Sequence, residues 1–156
     1  MIQHLDPTHK SMLTELLSRK TSIKVLEVTD GMILEPNNIY VIPPTFMMSL
    51  TDNVFLLTSR VEVQARYFPI DYFLISLAKI KGNRALGVLL SGTGSDGTQG
   101  LRMIKAEAGI TFAQDRDSAK YPDLPQHAIA AGVVDFVLPP KEIAKKLGRI
   151  SINIAS

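Results

Sequence analysis

The run Ala85-Leu86-Gly87-Val88-Leu89-Leu90 leads without a break into Ser91-Gly92-Thr93-Gly94-Ser95-Asp96-Gly97, and a helical stretch follows that stops before Gly109. A short apolar strand feeding a glycine-rich loop and then a helix begins a crossover unit, and such units build parallel sheets. The alternation continues. Residues 110–113 read as the next strand, Leu124-Pro125 opens a helix ended by Gly132, and residues 133–137 read as another strand. Pro139-Pro140 then turns the chain into a last helix, from Lys141 to about Leu147. Ahead of the loop, a helix from about Ile70 to Lys81 ends at Gly82. Strand and helix alternating with short connections predict an α/β fold, a doubly wound, mainly parallel sheet with helices on both faces.

The first half has another texture. Asp6-Pro7 reads as an N-cap with proline at the first helical position, opening a helix that ends near Lys20. Its apolar side carries Met12, Leu13, Leu16 and Leu17. Residues 25–28, 39–42, 47–50 and 54–57 are short apolar runs separated by turn residues, such as Asp30-Gly31 and Asp52-Asn53. They predict strands, the last two a hairpin inserted into the α/β frame. Were that region a separate sheet, the class would be α+β.

With 156 residues and 46% hydrophobic composition, residues 1–156 suit a single domain with a real core. No apolar run approaches the roughly 18 residues that cross a bilayer, and the start resembles no signal peptide. Without cysteine there is no disulfide framework and no cysteine-based metal site. The net charge of +2 comes from dispersed Lys and Arg, which argues against nucleic acid as a partner. A cytoplasmic protein with no membrane insertion is the expectation.

Residues 92–97 also match G-x-G-x-x-G, with Asp115 at the end of the next strand, a dinucleotide-binding pattern. Asp96 speaks against that reading, because a carboxylate among the loop's N–H donors repels the pyrophosphate they should hold. Asp96 can be a helix N-cap, or an acid aimed out of the carboxyl end of a strand, where doubly wound sheets place their sites. The two roles are compatible. His4 falls on another strand-to-helix loop, His9 in the first turn of a helix, and His127 within a later helix. His4, Asp6 and His9 could be read as metal ligands, but capping explains Asp6 and no metal is expected. A histidine and an aspartate on strand-to-helix loops are two thirds of a hydrolase triad. The nucleophile is missing: there is no G-x-S-x-G elbow, and Ser91, Ser95 and Ser118 are poorly placed.

Several motifs resemble the CheB-type protein-glutamate methylesterases. They are residues 89–97 with Gly100-Leu101-Arg102, Gln114-Asp115, Ser118-Ala119, Tyr121-Pro122, Pro125 and residues 128–135. Gln3-His4 with Asp6-Pro7 is similar to that family's catalytic-histidine loop, and Asp30-Gly31-Met32, Pro36-Asn37 and residues 40–44 are similar to its middle section. The wording is closest to methylesterase domains fused to a receptor methyltransferase. The resemblance implies hydrolysis of glutamate methyl esters, and deamidation of glutamines, on the helical signalling domains of chemoreceptors. It implies His4 and Asp96 as triad members, the main-chain N–H of Thr93 as an oxyanion donor, and no cofactor. The family's serine loop and its regulatory receiver domain are expected to lie outside this sequence, the serine in a strand-loop-helix ahead of Met1. Two other readings compete: a catalytically inactive domain that binds receptor or methyltransferase, and the dinucleotide-binding domain.

Overall fold

The computed structural model describes residues 1–3, 12–60 and 67–155. Its elements are α1 (Leu13–Ser18), β1 (Lys24–Glu27), β2 (Asn38–Val41), β3 (Phe46–Thr51), β4 (Val54–Ser59), α2 (Pro69–Lys81), β5 (Leu86–Leu89), α3 (Thr98–Ala106), β6 (Ile110–Gln114), α4 (Asp123–Ala130), β7 (Phe136–Leu138) and α5 (Pro140–Ala155). The expected α/β class holds, and the elements fall close to where the pattern of the sequence puts them.

Strands β5, β6 and β7 lie side by side in that order, all parallel, with Val88 opposite Phe112 and Phe112 opposite Phe136. Because side chains alternate across a strand, this register decides which helix covers which face. Leu89 shares a face with Ala113 and packs with Leu101 and Ile104 of α3 and with Leu124 and Ala128 of α4. Phe112 and Phe136 share the opposite face, their rings 5.3 Å apart, and Lys146 of α5 lies 4.1 Å over the Phe136 ring. The sheet is therefore covered on both sides.

Strands β1 and β2 form a second parallel pair. On the far side of β2 the first residue continues the pattern: the Met1 amino group donates to the Tyr40 carbonyl, and Ile42 N–H donates to the Met1 carbonyl at 3.1 Å. The inserted hairpin is β3 paired antiparallel with β4, turned at Asp52, whose φ of +52° aspartate tolerates. The hairpin is a two-stranded sheet of its own, yet it is laid on α2 rather than set apart. Ser76 of α2 accepts from Leu50 N–H at 3.0 Å, and Phe73 and Leu77 of α2 pack against both apolar clusters of the molecule. Helix α2 joins the halves.

Two boundaries and one buried face differ from expectation. The strand expected over residues 133–137 is displaced toward Leu138, because Val133 is buried in the α3–α4 cluster and its N–H is taken by the Ala128 carbonyl at 3.3 Å. The last helix runs on to Ala155, since its residues offer no breaker after Gly148. In α1 the apolar side is not buried: Met12 is 57% and Leu16 52% exposed, although this short helix packs on β1.

Candidate active site

The glycine loop emerges from the carboxyl end of β5 and is bolted down at three places. At its start, Ser91 N–H donates to the Gln114 side-chain carbonyl at 2.8 Å, and Gln114 Nε2 donates to Ser118 Oγ at 3.2 Å. The Ser118 hydroxyl in turn donates to the Asp115 carboxylate. Ser91 Oγ accepts from Tyr121 N–H at 2.9 Å, Gly92 N–H donates to the Tyr121 carbonyl at 2.8 Å, and Leu124 N–H donates to the Gly92 carbonyl at 3.0 Å. The residues that mark the sequence motifs at 114–122 thus serve one end, which is to hold residues 91 and 92.

At the far end stands Asp96, 2% exposed. Its two oxygens accept from Ile70 N–H at 2.9 Å and Asp71 N–H at 2.8 Å. The expectation that Asp96 caps the helix its loop opens is not met: it caps α2, across the fold. Its own helix α3 begins after Gly97 (φ +100°) with no side-chain cap at that position. The donors at the start of α3 go instead to Asp71, whose Oδ1 accepts from Gly97 N–H at 3.0 Å and Gly100 N–H at 2.7 Å. Burial pushes the Asp71 carboxyl above its ordinary range; the Asp96 charge adds to this, while the two glycine N–H groups oppose it.

This geometry removes the dinucleotide reading. The helix N-terminus that would face a pyrophosphate is already occupied by the Asp71 carboxylate, with the Asp96 carboxylate beside it. Thr93 lies exposed in the middle of the loop, between the bolted ends. His4, Asp6 and His9 lie outside the described residues. His127 is exposed and donates from Nδ1 to the Asp123 carbonyl at 2.7 Å, a contact within its own helix. The Ser91 and Ser118 hydroxyls are both engaged at the loop, Ser91 with Tyr121 and Ser118 with Gln114 and Asp115. Among the described residues no cluster of His, Asp and Glu could hold a metal ion.

An open cleft of about 420 Å³ runs beside the loop, lined by Asp71, Ser95, Gln99, Arg102 and His127. A larger one of about 520 Å³ lies against the hairpin and carries Glu27 and Asp30. Its polar lining is Glu27, Asp30 and the hydroxyls of Thr29 and Ser59, and Asp30 accepts from Leu57 N–H at 2.8 Å.

Asp71 and Gln114 were not singled out by chemical reasoning on the sequence. The available signal for Asp71 was Pro69-Ile70-Asp71, proline and an acid in the first turn of a helix. That signal reports only a favourable helix start.

Fold and site together define an α/β domain with a buried acid at the carboxyl end of a parallel strand, where such sheets do their chemistry. The chain belongs to the CheB methylesterase family, whose model matches residues 1–147. It is 38% identical over 126 residues to an uncharacterized 104.1 kDa protein of Rhodobacter capsulatus, covering 81% of this chain and 13% of that one. It is 31% identical over 153 residues to a protein-glutamate methylesterase/protein-glutamine glutaminase of Carboxydothermus hydrogenoformans, covering 94% of this chain and 45% of that one. The crystal structure of the Thermotoga maritima CheB methylesterase catalytic domain superposes with a TM-score of 0.88 at 28% identity, covering 96% of this chain and 81% of that one. The chain therefore spans less than half the length of these curated relatives.

Proposed function

We propose that this domain hydrolyses methyl esters of glutamate side chains, and deamidates glutamines, on the helical signalling domains of chemoreceptors in the cytoplasm. The observation that carries the reading is Asp96, a buried carboxylate kept in place by Ile70 N–H and Asp71 N–H at the mouth of β5. A carboxylate can accept roughly four hydrogen bonds, so capping α2 is compatible with orienting an imidazole. The names of relatives such as the Carboxydothermus enzyme supply the substrate class.

In this reading His4 is the general base and Asp96 holds it in the right tautomer. The serine comes from a strand-loop-helix preceding Met1. The serine oxygen attacks the glutamyl ester carbonyl while His4 takes its proton, and the oxyanion is met by Thr93 N–H. Methanol leaves with the proton returned by His4, and water, activated in the same way, releases the free acid. No cofactor enters these steps. The substrate is a receptor helix, and the open cleft beside the loop suits a protein partner better than a small molecule. A receptor methyltransferase, on the same chain or associated with it, is the second partner.

The test is methanol release from methylated receptor by four proteins. They are the 156-residue chain, its His4→Ala variant, a form extended upstream by the serine segment, and that form carrying Asp96→Asn. The first two should be equally slow, the third active and the fourth crippled. Robust turnover by the present chain that vanishes in Ser91→Ala or Ser95→Ala would place the nucleophile elsewhere. An extended form that binds receptor without turnover would mark a binding domain instead.

A further inference from the structure

We propose that Asp71 is a positioning residue for Asp96, setting the direction of the acid that orients the catalytic imidazole. The inference rests on the reading of Asp96 as the triad acid. Its basis is a reciprocal cap. Asp96, just before α3, accepts two N–H groups at the start of α2; Asp71, in the first turn of α2, accepts two at the start of α3. Each carboxylate satisfies donors that the other's helix leaves without intrahelical partners. The four bonds tie together two segments some 25 to 29 residues apart in sequence.

The ring is close-fitting because two of its members are glycines. A Cβ on Gly97 would lie 2.5 Å from Leu89 Cδ2, and one on Gly100 would lie 2.6 Å from Leu74 Cβ. Their bare backbones let both N–H groups reach a single oxygen of Asp71. Asp96 is bonded covalently to Gly97, so a shift of the Gly97 N–H moves the Asp96 side chain with it. With Asp96 2% exposed, water has little access to replace a lost bond. A plain helix cap does not call for a second carboxylate next to a buried first one, where burial and like charge both work against its ionised form.

Two substitutions separate positioning from general support. Asp71→Ala removes the acceptor, whereas Asp71→Asn keeps an oxygen for Gly97 and Gly100 and replaces the other carboxylate oxygen with an uncharged amide. In the extended, serine-containing form acting on methylated receptor, Asp71→Ala should lower kcat on the order of 10²-fold with KM nearly unchanged, the effect of a displacement near 1 Å. Asp71→Asn should recover most of the loss. In the 156-residue chain, amide exchange at Ile70, which bonds Asp96 and not Asp71, should quicken in Asp71→Ala and return in Asp71→Asn. If Asp71→Ala does not fold, Asp71→Ser, whose shorter side chain keeps a displaced acceptor, takes its place, with a smaller kcat loss in the same direction. Unchanged kcat in the acceptor-deleting variant, while Asp96→Asn abolishes turnover, overturns the proposal and leaves the triad standing. Full activity of Asp96→Asn overturns the triad reading itself. Unaltered exchange at Ile70, or activity that falls only in step with the folded fraction, reduces Asp71 to a structural cap.

Discussion

Around β1–β4 an apolar cluster dominates, with Ser76 and Asp30 each accepting one hairpin N–H: the Tyr40 and Phe55 rings sit 4.8 Å apart, Phe55 and Phe73 6.4 Å apart, and Val28, Ile42, Met48 and Leu50 close the cluster. Around β5–β7 an apolar cluster is also present, but the loops at the strand ends are held by side chains gripping main chain. Asp96 and Asp71 do so at α2 and α3, Gln114 and Ser91 at the glycine loop, and Asp135 at β6. Apolar packing is non-directional and scales with buried area. Hydrogen bonds fix direction but contribute only about 1 kcal/mol each on balance. Among the described residues the hairpin half thus leans on apolar packing, and the loop half adds more side-chain bonds that fix direction. Helix α2 belongs to both, through Phe73 and Leu77 on its sides and Asp71 at its start.

Three substitutions would break or sharpen this contrast. The largest effect belongs to Asp96→Asn in the extended form, which should lower kcat by roughly 10⁴-fold, as loss of the orienting acid does in serine-protease triads. Turnover kinetics on folded protein measure it. Full activity would leave Asp96 a cap for α2 and nothing more.

Next comes Phe55→Ala in the hairpin half, which should cost about 3–5 kcal/mol of stability through lost burial and a cavity. Denaturant melts of the chain give the number. Amide protection at Ile70 and Gly100 should survive in the fraction that stays folded. If those amides lose protection as well, α2 transmits the damage and the halves are not separable.

The smallest effect concerns Asp135, which bridges to Lys105 at 2.6 Å and accepts from Thr111 N–H at 2.9 Å. Burial works against its charge, but the Lys105 ammonium and the Thr111 donors outweigh it and hold the carboxyl below its ordinary 3.8. A carboxyl depressed in the folded state adds stability above its unfolded value, and that stability is lost as pH falls through the folded value. Asp135→Asn should therefore lower stability by about 1 kcal/mol at pH 7, with the difference from the parent shrinking below about pH 4. Thermal melts across that range measure it; a constant gap would mean that Lys105 and Thr111 do not act through the charge.

Much of the loop half was legible in the residue order. Ala85-Leu86-Gly87-Val88-Leu89-Leu90 followed by glycines announces a buried strand and a tight loop, and Gly82, Gly109 and Gly132 mark where helices end. The displaced last strand was not legible. Val133 and Val134 have strand character, but burial against Ala128 of α4 overrode it. The exposed stripe of α1 escaped for the opposite reason, since amphipathic spacing says that a face can be buried and not what covers it.

The division runs between local pattern and distant pairing. The sequence by itself determined the α/β alternation, the loop and its acid, because each depends on backbone freedom, apolar periodicity and residue chemistry within a few positions. Only the tertiary structure decided which helix Asp96 caps, which donors Asp71 takes, and that Gln114 holds Ser91. These bonds join residues more than twenty positions apart. A carboxylate carries no address in its neighbours; its partner is whichever buried N–H the packing of α2 against α3 leaves without a helical acceptor.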